Sequence, residues 1–314
     1  MPAPSRKTPI RPIGAHAPVA GGLGTASLRY AAAVRAEAIQ IFVTNPRAWA
    51  ASAGDREQAR TLRDRVAATG LPVFIHAPYL INVGSPDPVV RDKSGALLMH
   101  CLKRGADLSA RGVVVHAGSA ITADREAGLR RVRETLLPLL QALPGIEDEG
   151  PDLLIEPMAG QGATLCAAIS EIEPYLAALD LHPRAKICID TCHLFAAGHD
   201  LTAPDGVTAA LTELAAVAPG RLQLIHANDS GDNCGSRKDR HRNIGQGMLK
   251  TGPFWELLHH PATAGVPFVV ETPGGQKWQA RDVARLKRLR GSTQAAAGAQ
   301  RALAGSRPGA GSTC

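Results

Sequence analysis

Eight short runs rich in Val, Ile and Leu recur along the chain, at about residues 11–17, 38–44, 72–77, 112–117, 152–157, 186–191, 222–227 and 267–272. Successive runs begin roughly thirty to forty-five residues apart, the length of one strand, a loop and a helix. The intervals between them carry amphipathic stretches. In residues 55–68, Leu62 and Val66 share one face while Asp55, Arg56, Glu57, Arg60, Arg63 and Asp64 keep the rest solvated. Residues 86–106, 123–143, 164–179 and 206–217 have the same character. Apolar strands alternating with such helices are parallel strands buried on both faces. The pattern predicts an α/β fold, a closed (β/α)8 TIM barrel, with residues 10–291 forming one domain. The first nine residues and the Gly/Ala/Ser-rich stretch 292–314 have too little apolar bulk to offset their ordering entropy, so mobile, disordered ends are expected there.

Composition narrows the class further. Aromatic residues are scarce, which leaves Ala, Val, Leu and Ile to build the core. Lys plus Arg exceed Asp plus Glu by 35 − 28 = +7, a balance that favours a polyanionic partner but also serves solubility. The six cysteines, at 101, 166, 188, 192, 234 and 314, form no CxxC pair and no framework spacing, and read as reduced thiols of a cytosolic protein rather than as ligands. The basic N-terminus lacks an apolar core segment, and no later stretch approaches eighteen uninterrupted apolar residues. A soluble, cytoplasmic chain that does not enter membranes is expected.

The residues at the ends of the runs carry the chemistry. The first run ends at His16, the third at His76, the fourth at His116 and the fifth at Glu156. The sixth gives Asp190 with His193 three residues on, the seventh His226 with Asp229 just after, and the eighth Glu271. Taken alone, Asp190 reads equally as a helix cap and His193 as a core histidine. Repetition changes that balance, because the C-terminal ends of parallel barrel strands converge on one face. Burying an ionisable group costs on the order of several kcal/mol unless it is paired or metal-bound, so successive strands bearing that cost argue for shared cations. In the basic loop 235–245, Asp239 and His241 stand two apart, so in an extended segment they point the same way and could grip one ion together with His193.

The donors so gathered are His76, His116, Glu156, Asp190, His193, His226, Asp239, His241 and Glu271. Imidazoles and carboxylates in this mixture suit Zn2+, with Mn2+ or Fe2+ also admissible, and are too nitrogen-rich for magnesium or calcium. An open catalytic site takes about three protein ligands per ion, so the set suggests three ions with one bridging carboxylate.

At these residues the chain resembles the endonuclease IV family of zinc-dependent apurinic/apyrimidinic endonucleases. The matching motifs are His76-Ala-Pro-Tyr79-Leu80-Ile-Asn82, Glu156-Pro-Met-Ala-Gly-Gln-Gly162, Cys188-Ile-Asp190-Thr-Cys-His193, His226-Ala-Asn228-Asp229, Asp239-Arg-His241-Arg-Asn-Ile-Gly-Gln-Gly247 and Glu271-Thr-Pro273, in order over about residues 11–290. The resemblance implies that His76, His116 and Glu156 hold one zinc, and that Glu156, Asp190, His226 and Glu271 hold a second, with Glu156 as the bridging catalytic carboxylate. It implies that His193, Asp239 and His241 hold the third. Arg47, Tyr79 and Leu80 match positions that enter a DNA duplex at a lesion. Three departures stand out: Pro157 where an Asn usually follows the bridging Glu, Gln246 where Glu is usual, and Ala48 where a Gln can occur.

The implied activity is DNA repair. The phosphodiester 5′ to an abasic site in duplex DNA is hydrolysed to a 3′-hydroxyl and a 5′-deoxyribose phosphate, through hydroxide activated in a trinuclear metal centre of a monomeric enzyme. The competing expectation is a metal-dependent sugar isomerase or epimerase on the same barrel, for which Glu156, Asp190, His226 and Glu271 alone would suffice. Such an enzyme has no evident need of His193, Asp239 and His241.

Overall fold

The structure, a computed structural model, describes residues 10–122, 124–143 and 149–293. The strands in chain order are β1 (Ile13–His16), β2 (Ile39–Ile41), β3 (Val73–His76), β4 (Gly112–His116), β5 (Asp152–Glu156), β6 (Ala185–Asp190) and β7 (Leu222–His226), then β8 (Asp229–Ser230), β9 (His241–Arg242) and β10 (Phe268–Val270). All but β8 and β9 pair in parallel and close into an eight-stranded barrel, with β10 sealing the seam between β7 and β1. The TIM barrel expected from the repeat is the observed fold. Each barrel strand falls on its expected run, β6 beginning one residue early at Ala185, and the second is the most reduced, from 38–44 to Ile39–Ile41.

The helices around the barrel are α1 (Leu23–Val34), α2 (Arg56–Thr69), α3 (Pro88–Asp107), α4 (Arg125–Gln141), α5 (Ile172–Ala178), α6 (Thr191–Ala197), α7 (Gly206–Val217), α8 (Gly252–His259) and α9 (Gly275–Arg290). Aspartates fix several starts by accepting otherwise unpaired N–H groups of the first turn. Asp55 accepts from Glu57 and Gln58, Asp87 from Val89, and Asp124 from Ala127. The helix expected over 164–179 begins only at Ile169, as one 3-10 turn that leads into α5. Residues 164–166 are instead drawn into extended pairing: Leu165 N–H donates to Gly118, and Met158 N–H donates to Cys166. Tertiary hydrogen bonds outweigh local helical pattern there. The expected mobile ends fall outside the described residues except at 292 and 293, where the Ser292 carbonyl accepts from Trp255 Nε1 at 3.3 Å.

Strand alternation sorts the side chains into layers. Ala38, Phe74, Val114, Leu154, Cys188, Leu224 and Val269 form a separate apolar cluster. Two residues further along the same strands stand Gln40, His76, His116, Glu156, Asp190, His226 and Glu271, and β1 contributes His16 beside them. The barrel is therefore floored by a dry layer beneath a polar ring with one member from each strand. On β1 the corresponding floor position is Gly14, where an added Cβ would come within 1.6 Å of the Ala38 carbonyl oxygen. Gly14→Ala is expected to destabilise the fold by about 3 kcal/mol or more, since backbone, not a yielding side chain, is in the way. A denaturant titration checks it.

At the opposite end of the barrel, α9 is latched to the β1–β2 connection. Arg290 pairs with Glu37 at 2.6 Å and donates to the Arg11 carbonyl at 2.6 Å, and Lys287 reaches Glu37 at 2.9 Å. Burial pushes the Glu37 carboxyl up, but the two cations and the Ile13 N–H hold it down at about 2. Among the described residues, no helix is long and apolar enough to cross a membrane.

Candidate metal centre

The polar ring and two loop segments converge at the C-terminal mouth of the barrel. Four sets of donor atoms lie within 4.8 Å of one another: His76, His116 and Glu156; Glu156, Asp190, His226 and Glu271; Asp190, His193 and His241; and Cys192, Asp239 and His241. All nine side chains singled out in the sequence are thus brought into one continuous cluster.

Glu156 is its hub, fully buried at the end of β5. One oxygen, Oε2, faces His76 Nε2 at 3.4 Å and His116 Nε2 at 3.5 Å. The other, Oε1, faces His226 Nδ1 at 3.0 Å and His193 Nδ1 at 3.4 Å. His226 Nδ1 also lies 3.4 Å from Glu271 Oε2 and 4.0 Å from Asp190 Oδ2.

Asp190 combines the two roles that its sequence position left open. Its Oδ1 caps α6 by accepting from Cys192 and His193 N–H, while Oδ2 accepts from Asn228 Nδ2 at 2.6 Å and faces His241 Nε2 at 3.5 Å. Capping fixes where α6 starts, and the start of α6 places His193. The His193 ring is turned by a 3.1 Å hydrogen bond from Nδ1 to the Pro157 carbonyl, which leaves Nε2 3.3 Å from Asp239 Oδ2. Asp239 spans to His241 Nε2 through its other oxygen at 3.0 Å. The resemblance assigned Asp190 to the second group only; the geometry sets it between the second and the third.

Asp239 and His241 owe their positions to a two-stranded ribbon of β8 and β9 that the sequence reading did not contain. Asp229 anchors it. Its carboxylate accepts from the N–H groups of Ser230, Gly245, Gly247 and Leu249, so it folds the loop rather than facing the cluster.

Charge explains the state of the donors. Burial pushes the His193 and His241 rings down, but Asp190 and Asp239 outweigh it and lift them to about 10 and about 9. Burial also pushes His226 down, but Cys188, Glu271 and Glu156 outweigh it and raise it well above its ordinary value, while burial takes His116 down to about 4. Burial raises the Glu156 and Glu271 carboxyls, yet the His226 charge and the neighbouring imidazoles hold both well below the usual range. Burial pushes the Cys192 thiol up to about 12, making it a poor anionic donor at neutral pH. Glu156 Oε2 is shut off from solvent with no well-formed hydrogen bond, facing only the His76 and His116 nitrogens at 3.4 and 3.5 Å. Orphaned acceptors and imidazoles amid carboxylates are a donor set that fits cations.

The donors are unevenly exposed. The side chains of His116, His241 and Asp239 keep 21%, 19% and 38% of their exposure, against 1% for Glu156 and 0% for His226. Tyr79 stands at this rim, half exposed, with its ring 5.5 Å from His76 and 6.0 Å from His116. Its N–H donates to Pro46 at 3.1 Å, which draws the exposed Arg47 to the same rim, next to the half-buried Leu80.

Sequence reasoning missed Gln40 and Asn228. Asn228 cross-links two strand ends, donating to Asp190 and accepting from Glu271 N–H at 2.9 Å. Gln40 touches His16, His226 and Glu271 at once. Strand parity could have found it, since on β2 it is the polar residue between Ile39 and Ile41.

The fold and the donor set define a TIM barrel with a candidate metal centre at the C-terminal ends of its strands, and residues 28–289 match the family model of the xylose isomerase-like TIM barrels. A "Probable endonuclease 4" of Streptomyces coelicolor is 51% identical over 288 residues, covering 91% of this chain and 97% of the relative. One of Chloroflexus aurantiacus is 36% identical, covering 90% and 99%. The crystal structure of endonuclease IV from Thermus thermophilus superposes with a TM-score of 0.77 at 32% identity, covering 88% of this chain and 98% of that one. The chain belongs to the endonuclease IV family within the xylose isomerase-like barrels. Membership implies a metal cofactor. An L-ribulose 3-epimerase structure shares the fold alone, with a TM-score of 0.67 at 16% identity.

Proposed function

We propose that the protein is a DNA-repair endonuclease that hydrolyses the phosphodiester 5′ to abasic sites in duplex DNA. The observation that carries this reading is the continuity of the cluster, in which a third group, His193 on α6 with Asp239 and His241 at β9, adjoins the strand-borne groups. Endonuclease 4 relatives along nearly the whole chain support it. In this reading three zinc ions occupy the centre. His76, His116 and Glu156 hold the first; Glu156, Asp190, His226 and Glu271 the second; His193, Asp239 and His241 the third. The enzyme works as a cytoplasmic monomer, through one catalytic domain over residues 10–291.

When bound, the cations supply a nucleophile from water at neutral pH and offset the charge that gathers on a phosphate under attack. Glu156, whose two oxygens face different pairs of imidazoles, would serve both of the first two positions. The scissile phosphate enters on the more exposed side, beside His116, Asp239 and His241. The bond from phosphorus to the 3′-oxygen breaks as the water oxygen adds, and the proton given up by the water ends on the leaving oxygen, which departs as a 3′-hydroxyl. An abasic nucleotide has no base to unstack, so turning it out of the helix costs little, and Arg47, Tyr79 and Leu80 fill the gap. The basic loop bearing Arg237, Lys238, Arg240 and Arg242 meets neighbouring phosphates.

The test is nicking of a duplex carrying a single tetrahydrofuran abasic analogue. Zinc-loaded protein is expected to cut once, immediately 5′ to the analogue, to lose that activity after prolonged chelation, and to regain it with zinc. An intact duplex after incubation with fully loaded protein would count decisively against the proposal. Tyr79→Ala and Arg47→Ala are each expected to lower kcat/KM by roughly tenfold, the scale of one lost stacking contact, with zinc content unchanged. Steady-state kinetics with parallel metal analysis reads both.

A further inference from the structure

Of the eight side chains in the polar ring, six are the strand-borne donors of the proposed centre, and two, His16 and Gln40, are not. Gln40 is fully buried. Its Nε2 donates to Glu271 Oε1 at 2.6 Å and lies 3.0 Å from His16 Nδ1, while its Oε1 lies 2.8 Å from His226 Nε2. The carboxylate fixes the orientation of the amide. Were it flipped, two acceptor oxygens would face each other across the Glu271 contact, whichever proton His16 carries.

The consequence passes to His226. With Oε1 turned toward it, Nε2 of His226 must carry a proton to donate. Nδ1 is then the nitrogen left for an ion: it faces Glu156 Oε1 at 3.0 Å and Glu271 Oε2 at 3.4 Å, and its proton in the ion-free fold is the one a cation displaces. Two carboxylate oxygens demand positive charge at Nδ1, either the proton of the ion-free fold or a cation in its place. The same amide also occupies Glu271 Oε1, so that Oε2 is the oxygen left facing the cluster.

We propose that Gln40 is the positioning residue of the second cation position: one buried amide sets which nitrogen of His226 and which oxygen of Glu271 are offered to the ion. This rests on the reading of the cluster as a metal centre. It assigns a role to a neutral side chain that coordinates nothing, and outer partners of this kind are worth about 10–100-fold in metal affinity.

The experiment compares zinc-loaded full-length protein with Gln40→Met, which keeps the volume and removes both hydrogen-bonding ends. Both are dialysed against graded chelator, and zinc per chain is measured by elemental analysis alongside Tm with and without metal. The variant is expected to release one zinc at about 10–100-fold lower chelator than wild type, with its metal-free Tm unchanged. Equal zinc retention, or a loss that merely follows a lower metal-free Tm, overturns the role of Gln40. A wild type that holds no zinc overturns the metal-centre reading and this inference with it. Should Gln40→Met not fold, the wild type still decides. In 15N-histidine-labelled, zinc-loaded protein, the His226 ring signal, identified by its loss in His226→Asn, is expected to carry its proton on Nε2. A proton on Nδ1 overturns the proposal.

Discussion

Glu156→Gln is expected to abolish most of the nicking activity, by about 10³-fold or more, and to lower the zinc content together with it. The carboxylate is fully buried and faces four imidazoles, two on each oxygen. An amide of the same shape carries no charge and replaces one acceptor with a donor that points at ring nitrogens. Removing one partner of a buried charge cluster costs about 3–5 kcal/mol, and about 4 kcal/mol corresponds to a thousandfold in rate. Single-turnover nicking under saturating enzyme, with elemental analysis of the same sample, reads both effects. A variant that keeps its zinc and cuts within tenfold of wild type would show that Glu156 is not the hub.

The second large effect is a reversal in how stability depends on pH when the metal is removed. In the metal-free fold, His193 and His241 are raised to about 10 and about 9, against roughly 6.5 in an unfolded chain. Between those limits the folded state holds protons that the unfolded state has lost, so the contribution of these two histidines is fully present below about pH 6.5 and declines as pH rises toward 9 and 10. The steepest slope is about 1.4 kcal/mol per pH unit for each histidine. Zinc-loaded protein should move the other way over the same range, because protons compete with the ion for those nitrogens. Buried thiols such as Cys188 and Cys192, pushed up to about 12 by burial, also weaken the fold at high pH, but in both forms and only above about pH 8.5. Histidines lowered by burial, such as His116 and His16, add a slope of the opposite sign around the unfolded value of about 6.5, so the diagnostic window is about pH 7.5 to 8.5. Thermal unfolding in chelator and in zinc gives the two slopes, and a metal-free Tm that rises across that window would refute the charge assignment.

Most of the barrel was legible because a parallel strand buried on both faces has little freedom of composition. Runs such as Val113-Val114-Val115 before His116 announce both the strand and its polar end. Helices were legible where an aspartate caps an amphipathic stretch, as at Asp55 and Asp87. The sequence was silent where the decisive interactions are not local. α6, at seven residues, is too short to show a period and depends on Asp190 for its start. The β8–β9 ribbon has two residues per strand and exists because Asp229 gathers backbone donors up to twenty positions away. Residues 164–166 look helical in isolation and are claimed by pairing with Gly118 and Met158. Gln40 escaped notice for a different reason. The cost of burying a neutral amide is modest, so it does not stand out against Ile39 and Ile41 as a buried histidine or carboxylate does.

The apolar layer of Phe74, Val114, Leu154, Leu224 and Val269 beneath the polar ring has a bearing on traffic as well as on stability. It leaves no wet passage down the barrel axis, so whatever enters the centre must use the same doorway as the nucleic acid. A duplex seated there would stand between the ions and bulk solvent, and chelators would strip the substrate-bound enzyme more slowly than the free one.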